Sequence, residues 1–168
     1  ELSGIGQGDV LKKAGVDGRH ELKGVGENLQ DHYQVRSVYE VTLPDSLNAV
    51  WHTPLLQLKT GLQYAFSRRG ILATGASPVG AFVKSSPELE EPDIQFHFIP
   101  FSADAPGKGL HKFPGVSSTI CVLRPDSRGH LHIASSDPKA PPAIVANYLA
   151  AESDRRITLA GLKLARRI

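Results

Sequence analysis

The pattern of apolar and polar positions changes character along the chain. Residues 8–15 carry Leu11 and Ala14 at helical spacing, with Asp9 as a candidate N-cap and Gly15 as a stop. His20 to His32 has no period and is rich in glycine and charge, which predicts an extended loop. From 33 to 43 the pattern alternates through Tyr33, Val35, Val38, Tyr39, Val41 and Leu43, the mark of a strand ended by Pro44-Asp45. Thr53-Pro54 opens a helix with proline at its first position. Leu55, Leu58, Leu62, Ala65 and Phe66 then share one apolar face, and Gly70 closes it. Gly70 to Ser77 reads as a loop.

Three more strands are predicted, over 79–83, 93–101 and 116–123. The thirteen residues from Ser102 to Pro114 separate the last two. A loop of that length in a compact domain tends to be functional or mobile. A turn at 125–129, a strand at 129–134 and a proline-rich turn at 137–142 follow. A final helix is capped by Ser153, has Asp154 in its first turn, and turns Ile157, Ala160, Leu164 and Ile168 inward. Strands mostly do not alternate with helices. The fold class expected is therefore α+β, a mainly antiparallel sheet with helices packed on one face.

Composition narrows the function classes. At 168 residues the chain is long enough for a core. Its net charge of +2 and scattered Lys and Arg give no basic stripe, so nucleic acid is not the expected partner. No apolar run approaches the roughly 20 residues of a membrane span. The lone Cys121 lies in an apolar run and reads as a small core residue. The absence of methionine, a glycine stop at the start and a helical pattern running into Ile168 suggest an internal piece of a longer protein.

Candidate chemistry is sparse. Gly4-Ile-Gly6-Gln-Gly8 and Gly24-Val-Gly26 do not complete a dinucleotide fingerprint and read as turn glycines. His130 and His132 share a strand face but lack further ligands at a metal-binding spacing, so no metal is expected. His97, between Phe96 and Phe98, can face either core or pocket. No serine triad can be assigned.

Taken as phrases, the residues resemble one family. Leu2-Ser-Gly-Ile-Gly6, Gly24-Val-Gly-Glu-Asn-Leu-Gln-Asp-His32, Gly75-Ala-Ser-Pro-Val-Gly-Ala-Phe82, Leu123-Arg-Pro-Asp-Ser-Arg-Gly-His-Leu131, Ser136-Asp-Pro138 and Ala146-Asn-Tyr-Leu149 stand in the order found in glucose–methanol–choline (GMC) oxidoreductases. They are most similar to the choline dehydrogenase-like branch. The resemblance implies an FAD-dependent enzyme that oxidises a primary or secondary alcohol to an aldehyde or ketone, with hydride passing to the flavin. It implies that the catalytic histidine lies beyond Ile168 and the nucleotide fingerprint before Glu1. It divides the chain into 1–32, the end of a flavin-domain segment with a linker loop; 33–123, the substrate-binding sheet and helix; and 124–168, the start of a C-terminal region.

Asn28, Asp31 and His32 are then candidates for the flavin side, and Ser77, Pro78, Phe96 and Phe98 for the substrate pocket. Pro78 stands where choline-handling members carry a glutamate. Without a negative charge for a trimethylammonium group, a neutral alcohol is the expected substrate. The rest of the same polypeptide is the expected partner, with a dimer through the exposed sheet face also conceivable. A bacterial cytoplasmic location fits, and peripheral membrane association is compatible with it. The competing readings are a freestanding α+β ligand- or partner-binding module, and a complete small enzyme with an unrecognised site.

Overall fold

A computed structural model describes residues 1–42, 46–105 and 107–168. The chain forms two compact units, Glu1–Tyr33 with Arg124–Ile157, and Gln34–Leu123 with Thr158–Ile168.

In the first unit, strand β1 (Ile5–Gly6) pairs in parallel with β2 (His20–Glu21), and helix α1 (Gly8–Lys13) connects them. Leu11 and Ala14 are buried, as the helical spacing requires. Gln7, not Asp9, occupies the N-cap. Asp9 lies in the first turn, where its charge favours the helix dipole. Leu29 bridges Gly129 through reciprocal backbone hydrogen bonds of 2.9 Å, which ties the loop before Tyr33 to the segment after Arg124. The predicted strand at 129–134 is the shorter β7 (His130–His132). It pairs with β8 (Ala143–Val145), which the sequence pattern did not reveal because all three of its residues are exposed.

The second unit is built on an antiparallel sheet. Numbering the strands β3 (Gln34–Glu40), β4 (Val79–Val83), β5 (Ile94–Ile99) and β6 (Gly115–Val122), their order is β3-β6-β5-β4. The predicted end of the β3 strand at Leu43 and its Pro44-Asp45 stop fall outside the described residues. Facing residues in register point to the same side. One face therefore presents Val35, Ser37 and Tyr39 on β3, Val116, Ser118, Ile120 and Val122 on β6, and Ile94, Phe96 and Phe98 on β5. Ile94, Phe96, Ile120 and Val122 form the buried centre.

Helix α4 (Glu152–Ala165) lies against that centre with its second half. Gly161 makes this possible: a Cβ there would stand 2.5 Å from Ile120 Cγ2 and 3.4 Å from Ile94 Cδ1. The Tyr39 hydroxyl also donates to the Ala165 carbonyl at 3.1 Å. The buried stripe is Asp154, Thr158, Gly161 and Ala165. The expected stripe of Ile157, Ala160, Leu164 and Ile168 is thus rotated by one residue. Its first three members are half-buried flanks and Ile168 is exposed. The contact is made by small residues because close approach of helix to sheet leaves no room for large ones.

Two helices stand between β3 and β4. Helix α2 (Leu47–His52) is capped by Ser46, whose hydroxyl accepts from Ala49 N at 3.2 Å; the sequence reading passed over it. Helix α3 (Pro54–Ser67) starts at the predicted proline but ends earlier than Gly70, at Arg68 in a left-handed conformation (φ 54°). None of its residues is buried. Residues 70–77 hold a short 3-10 turn, Ile71–Ala73. The long 102–114 segment is clasped rather than loose. Asn48 is fully buried, donates to the Ser102 and His111 carbonyls at 3.0 and 2.9 Å, and accepts from Ser102 N at 2.9 Å.

Candidate functional site

The flavin-side candidates lie in the first unit. Asn28 takes a left-handed conformation (φ 58°) in an exposed loop. Gly26 precedes it at φ 83°, where a Cβ would stand 2.3 Å from the Leu131 carbonyl, so the loop can lie against β7 only with glycine there. Asp31 is exposed but engaged. Its carboxylate accepts from the Tyr148 hydroxyl and from His32 N. The phenol hydrogen bond, then the backbone one, hold the Asp31 carboxyl below its ordinary range, and the same bond keeps the Tyr148 phenol protonated to higher pH.

Tyr148 stacks at 5.0 Å on Tyr33, and its neighbours Asn147 and Leu149 are also left-handed (φ 53° and 57°). Two phrases 117 residues apart, Asn28 to His32 and Ala146 to Leu149, therefore meet through Asp31 and Tyr148. Tyr148 was not among the sequence candidates. The only signal for it was that both phrases carried the family resemblance. Asn28 and His32 keep their side chains exposed and unpartnered among the described residues.

The short β1–α1–β2 unit does not form a phosphate cradle. Its Gly8 N–H, at the start of α1, donates to the Glu21 carboxylate at 2.8 Å, so an anion already sits where a pyrophosphate would bind. His132 is held from both sides, by Glu1 at 2.7 Å and Glu27 at 3.2 Å, which leaves no ring nitrogen free for a metal. His130 stacks on it at 5.4 Å.

The substrate-side candidates lie in the second unit. Pro78 and Phe98 line a cavity of about 580 Å³ together with Tyr39, Pro100, Val116 and Ser118. Among the described residues no carboxylate side chain lines it, and Arg166 is its only charged side chain. Ser77 is exposed, and its hydroxyl reaches the Phe98 carbonyl at 3.4 Å. Phe96 is fully buried and stacks at 6.0 Å on Phe98, so it belongs to the sheet core and has no surface to lend a pocket. A larger cavity, about 790 Å³ between α2, α3 and residues 108–110, contains none of the sequence candidates.

The opposite sheet face is polar. Register places Arg36, Thr119 and His97 side by side across β3, β6 and β5, next to a second row of Gln34, Cys121 and Gln95. His97, undecided from sequence, is half-buried on this face. The Thr119 hydroxyl is buried and has no partner among the described residues, and neither has Ser118 on the other side. A buried hydroxyl left unsatisfied costs about 1–3 kcal/mol, and such groups are rare in folded proteins.

One constellation imitates a serine triad. Ser102 Oγ is 3.1 Å from His111 Nδ1, and His111 Nε2 is 3.0 Å from Asp104 Oδ1. Ser102 is fully buried and its hydroxyl also accepts from Asn48 at 3.1 Å. No substrate can reach it, so the three hold the 102–114 segment in place. The hydrogen bond from His111 keeps the exposed Asp104 carboxyl below its ordinary value.

The family model described as GMC oxidoreductase matches residues 125–168. The whole chain is 36% identical to the oxygen-dependent choline dehydrogenase of Acinetobacter baumannii (strain AYE) over 170 residues, covering 100% of this chain and 30% of that protein. The oxygen-dependent choline dehydrogenase of Staphylococcus epidermidis is likewise 36% identical over 172 residues, with 29% of its length covered. Among solved structures, a formate oxidase superposes with a TM-score of 0.81 at 22% identity, over 98% of this chain and 33% of the other. A pyridoxine 4-oxidase from Mesorbium loti gives 0.69 at 19%, over 98% and 28%. The chain is thus similar to GMC oxidoreductases, by the family model at its C-terminal end and by choline dehydrogenases over its whole length. It spans about 30% of the length of the choline dehydrogenases it matches.

Proposed function

We propose that this chain is the substrate-side part of an FAD-dependent oxidoreductase that converts a neutral primary or secondary alcohol to an aldehyde or ketone. The observation that carries the reading is the 36% identity to oxygen-dependent choline dehydrogenases over the whole of this chain. When bound, FAD supplies the two-electron acceptor for the carbinol hydride. The residues here position rather than react. Asn28 and His32 are the polar side chains left free for the cofactor, while Asp31 and Tyr148 hold the loop that presents them. Since α1 offers no phosphate cradle, the nucleotide is held by polypeptide outside these residues.

The sheet supplies the wall of the alcohol pocket. On the face that carries Phe98, the Ser118 hydroxyl lines the cavity, is buried and has no partner among the described residues, so it can offer an alcohol a hydrogen bond. The cavity at Pro78 and Phe98 is apolar and without a carboxylate, in keeping with a substrate that carries no positive charge.

Turnover by the full-length protein tests this. Simple aliphatic or aromatic alcohols should be oxidised with a kcat/KM well above that for choline, and Pro78→Glu should shift the ratio toward choline by tenfold or more. Choline turnover rivalling that of neutral alcohols in the unaltered enzyme refutes the substrate assignment. The 168-residue stretch alone should be colourless and inactive; a yellow, active preparation overturns the division of labour.

A further inference from the structure

His132 stands where three segments of the first unit meet. Its Nδ1 is 2.7 Å from Glu1 Oε1, ahead of β1, and its Nε2 is 3.2 Å from Glu27 Oε1, in the loop that follows β2. The loop lies directly on the ring, since a Cβ at Gly26 would stand 2.6 Å from Nδ1. Leu131 N donates to the Gly26 carbonyl at 2.7 Å, and Leu29 is bridged to Gly129. Between these two backbone ties stand Glu27 and Asn28, both exposed. The Glu27 side chain anchors this tip. Its Oε1 accepts from Gln7 Nε2 at 2.6 Å and faces the His132 ring.

A neutral imidazole carries one N–H and a cationic one carries two, so His132 can donate to both carboxylates only as the cation. The two carboxylates are not equal. Glu1 is nearer, its side chain is 5% exposed, and it also accepts from Ile133 N at 2.7 Å; Glu27 is farther and 38% exposed. A ring with one proton therefore keeps it on Nδ1 for Glu1, and its Nε2 lone pair then faces the Glu27 carboxylate. We propose that His132 is a positioning residue for the loop tip that carries Asn28: as a cation it clamps Glu27, and as a neutral ring it releases Glu27 while holding Glu1. Among the described residues the ionisable groups against the ring are Glu1, Glu27 and His130, stacked at 5.4 Å, and β8 faces it with Ala143. The hydrogen bond to Glu1 raises the ring above its ordinary 6.5 against the effect of burial. The clamp is thus complete below 6.5 and opens as pH rises through the folded value. Every donor and acceptor in it belongs to the first unit. That Asn28 faces the flavin rests on the function proposed above; the clamp itself does not.

The test is amide exchange of the full-length holoenzyme, read by mass spectrometry from about pH 6 to about pH 9 and corrected for the intrinsic rate. Exchange over residues 22–32 should quicken by about fivefold above the folded value, the loss of one charge-assisted hydrogen bond at a part-exposed site. The Ile133 amide, held by Glu1, should change less. Glu27→Ala should give the faster loop exchange at every pH, with no step, and leave β7 near wild type. The Glu27 side chain is 38% exposed, so this variant should fold.

A loop with no pH step in wild type, or one that keeps its step in Glu27→Ala, overturns the proposal. Release of Ile133 in step with the loop does so too, because the ring would then have let go of Glu1. Visible circular dichroism of the bound flavin gives a second readout. It should change over the same pH range in wild type and not in Glu27→Ala. An exchange step with no flavin change keeps the clamp and takes the loop away from the cofactor, which overturns the functional reading and not the clamp.

Discussion

The two units of this chain are held together by different physics. In the first, beside the Leu29–Gly129 backbone bridge, distant segments are tied through ionisable groups: Glu1 and Glu27 on His132, Asp154 on Asp126 and Ser127, Asp31 on Tyr148. Its strands are two or three residues long and its buried apolar side chains are Leu11 and Ala14. In the second, a four-stranded sheet buries Ile94, Phe96, Ile120 and Val122 under the back half of α4. The first unit should therefore answer to pH and the second to side-chain volume.

The largest expected effect is in the second unit. Phe96→Ala should cost about 3–5 kcal/mol, because the ring is fully buried and its strand is locked on both sides. Denaturant unfolding measures it, and the loss should not change between pH 5 and 8. A loss below about 1 kcal/mol would mean that the sheet is not the second unit's core.

Next is Asp154→Asn. Asp154 is almost wholly buried and accepts from Asp126 N, Ser127 N and the Ser127 hydroxyl at 2.8, 2.9 and 2.5 Å. Burial pushes its carboxyl up, but these hydrogen bonds outweigh it and hold it below the ordinary 3.8. The stabilisation is thus present above that value and is lost as pH falls through the lower folded one. The amide keeps the shape and removes the charge, so about 2 kcal/mol should be lost at neutral pH, and the acid limb of the stability curve should flatten.

The His132 cluster gives the sign that separates the units most clearly. The hydrogen bond to Glu1 raises the His132 ring above its ordinary 6.5 against the opposing effect of burial. Burial pushes Glu1 up, but its hydrogen bonds from His132 and Ile133 N outweigh it and hold it below 4.5. The His132 contribution is complete below 6.5 and fades as pH rises through its folded value; that of Glu1 is complete above 4.5 and fades as pH falls. Protection of β7 against amide exchange should therefore be greatest between those limits, and His132→Ala should abolish the dependence while leaving β5 and β6 unchanged. A β7 profile that does not vary with pH in the unaltered chain would remove the contrast.

The smallest effect belongs to Tyr148→Phe, which should leave global stability unchanged since both partners are exposed. NMR titration should show the Asp31 carboxyl moving back up toward its ordinary value, and the loop from Asn28 to His32 should exchange faster.

How much of this was legible beforehand depended on the kind of signal. The strands over 79–83, 94–99 and 115–122 were legible because alternation and β-branched runs report burial directly. The start of α3 was legible because proline at the first helical position is a local event. Helix α2 was missed, since six residues give too little periodicity and its buried member is Asn48, a polar residue. The α4 stripe was misplaced by one residue for a related reason: periodicity selects large apolar side chains, while the contact uses Gly161, Thr158 and Asp154. At the candidate site, Pro78 and Phe98 do border a cavity, but Phe96 was indistinguishable from them in one dimension.

By itself the sequence determined most of the local elements, the α+β class and the family resemblance, because these rest on short-range spacing and on ordered phrases that survive without coordinates. Tertiary structure alone decided which residues meet. It joined Asp31 to Tyr148 across 117 positions, aligned Arg36, Thr119 and His97 across three strands, and turned Leu55, Leu58 and Leu62 of α3 outward. Register and packing are properties of pairs of segments, and no pattern within one segment contains them.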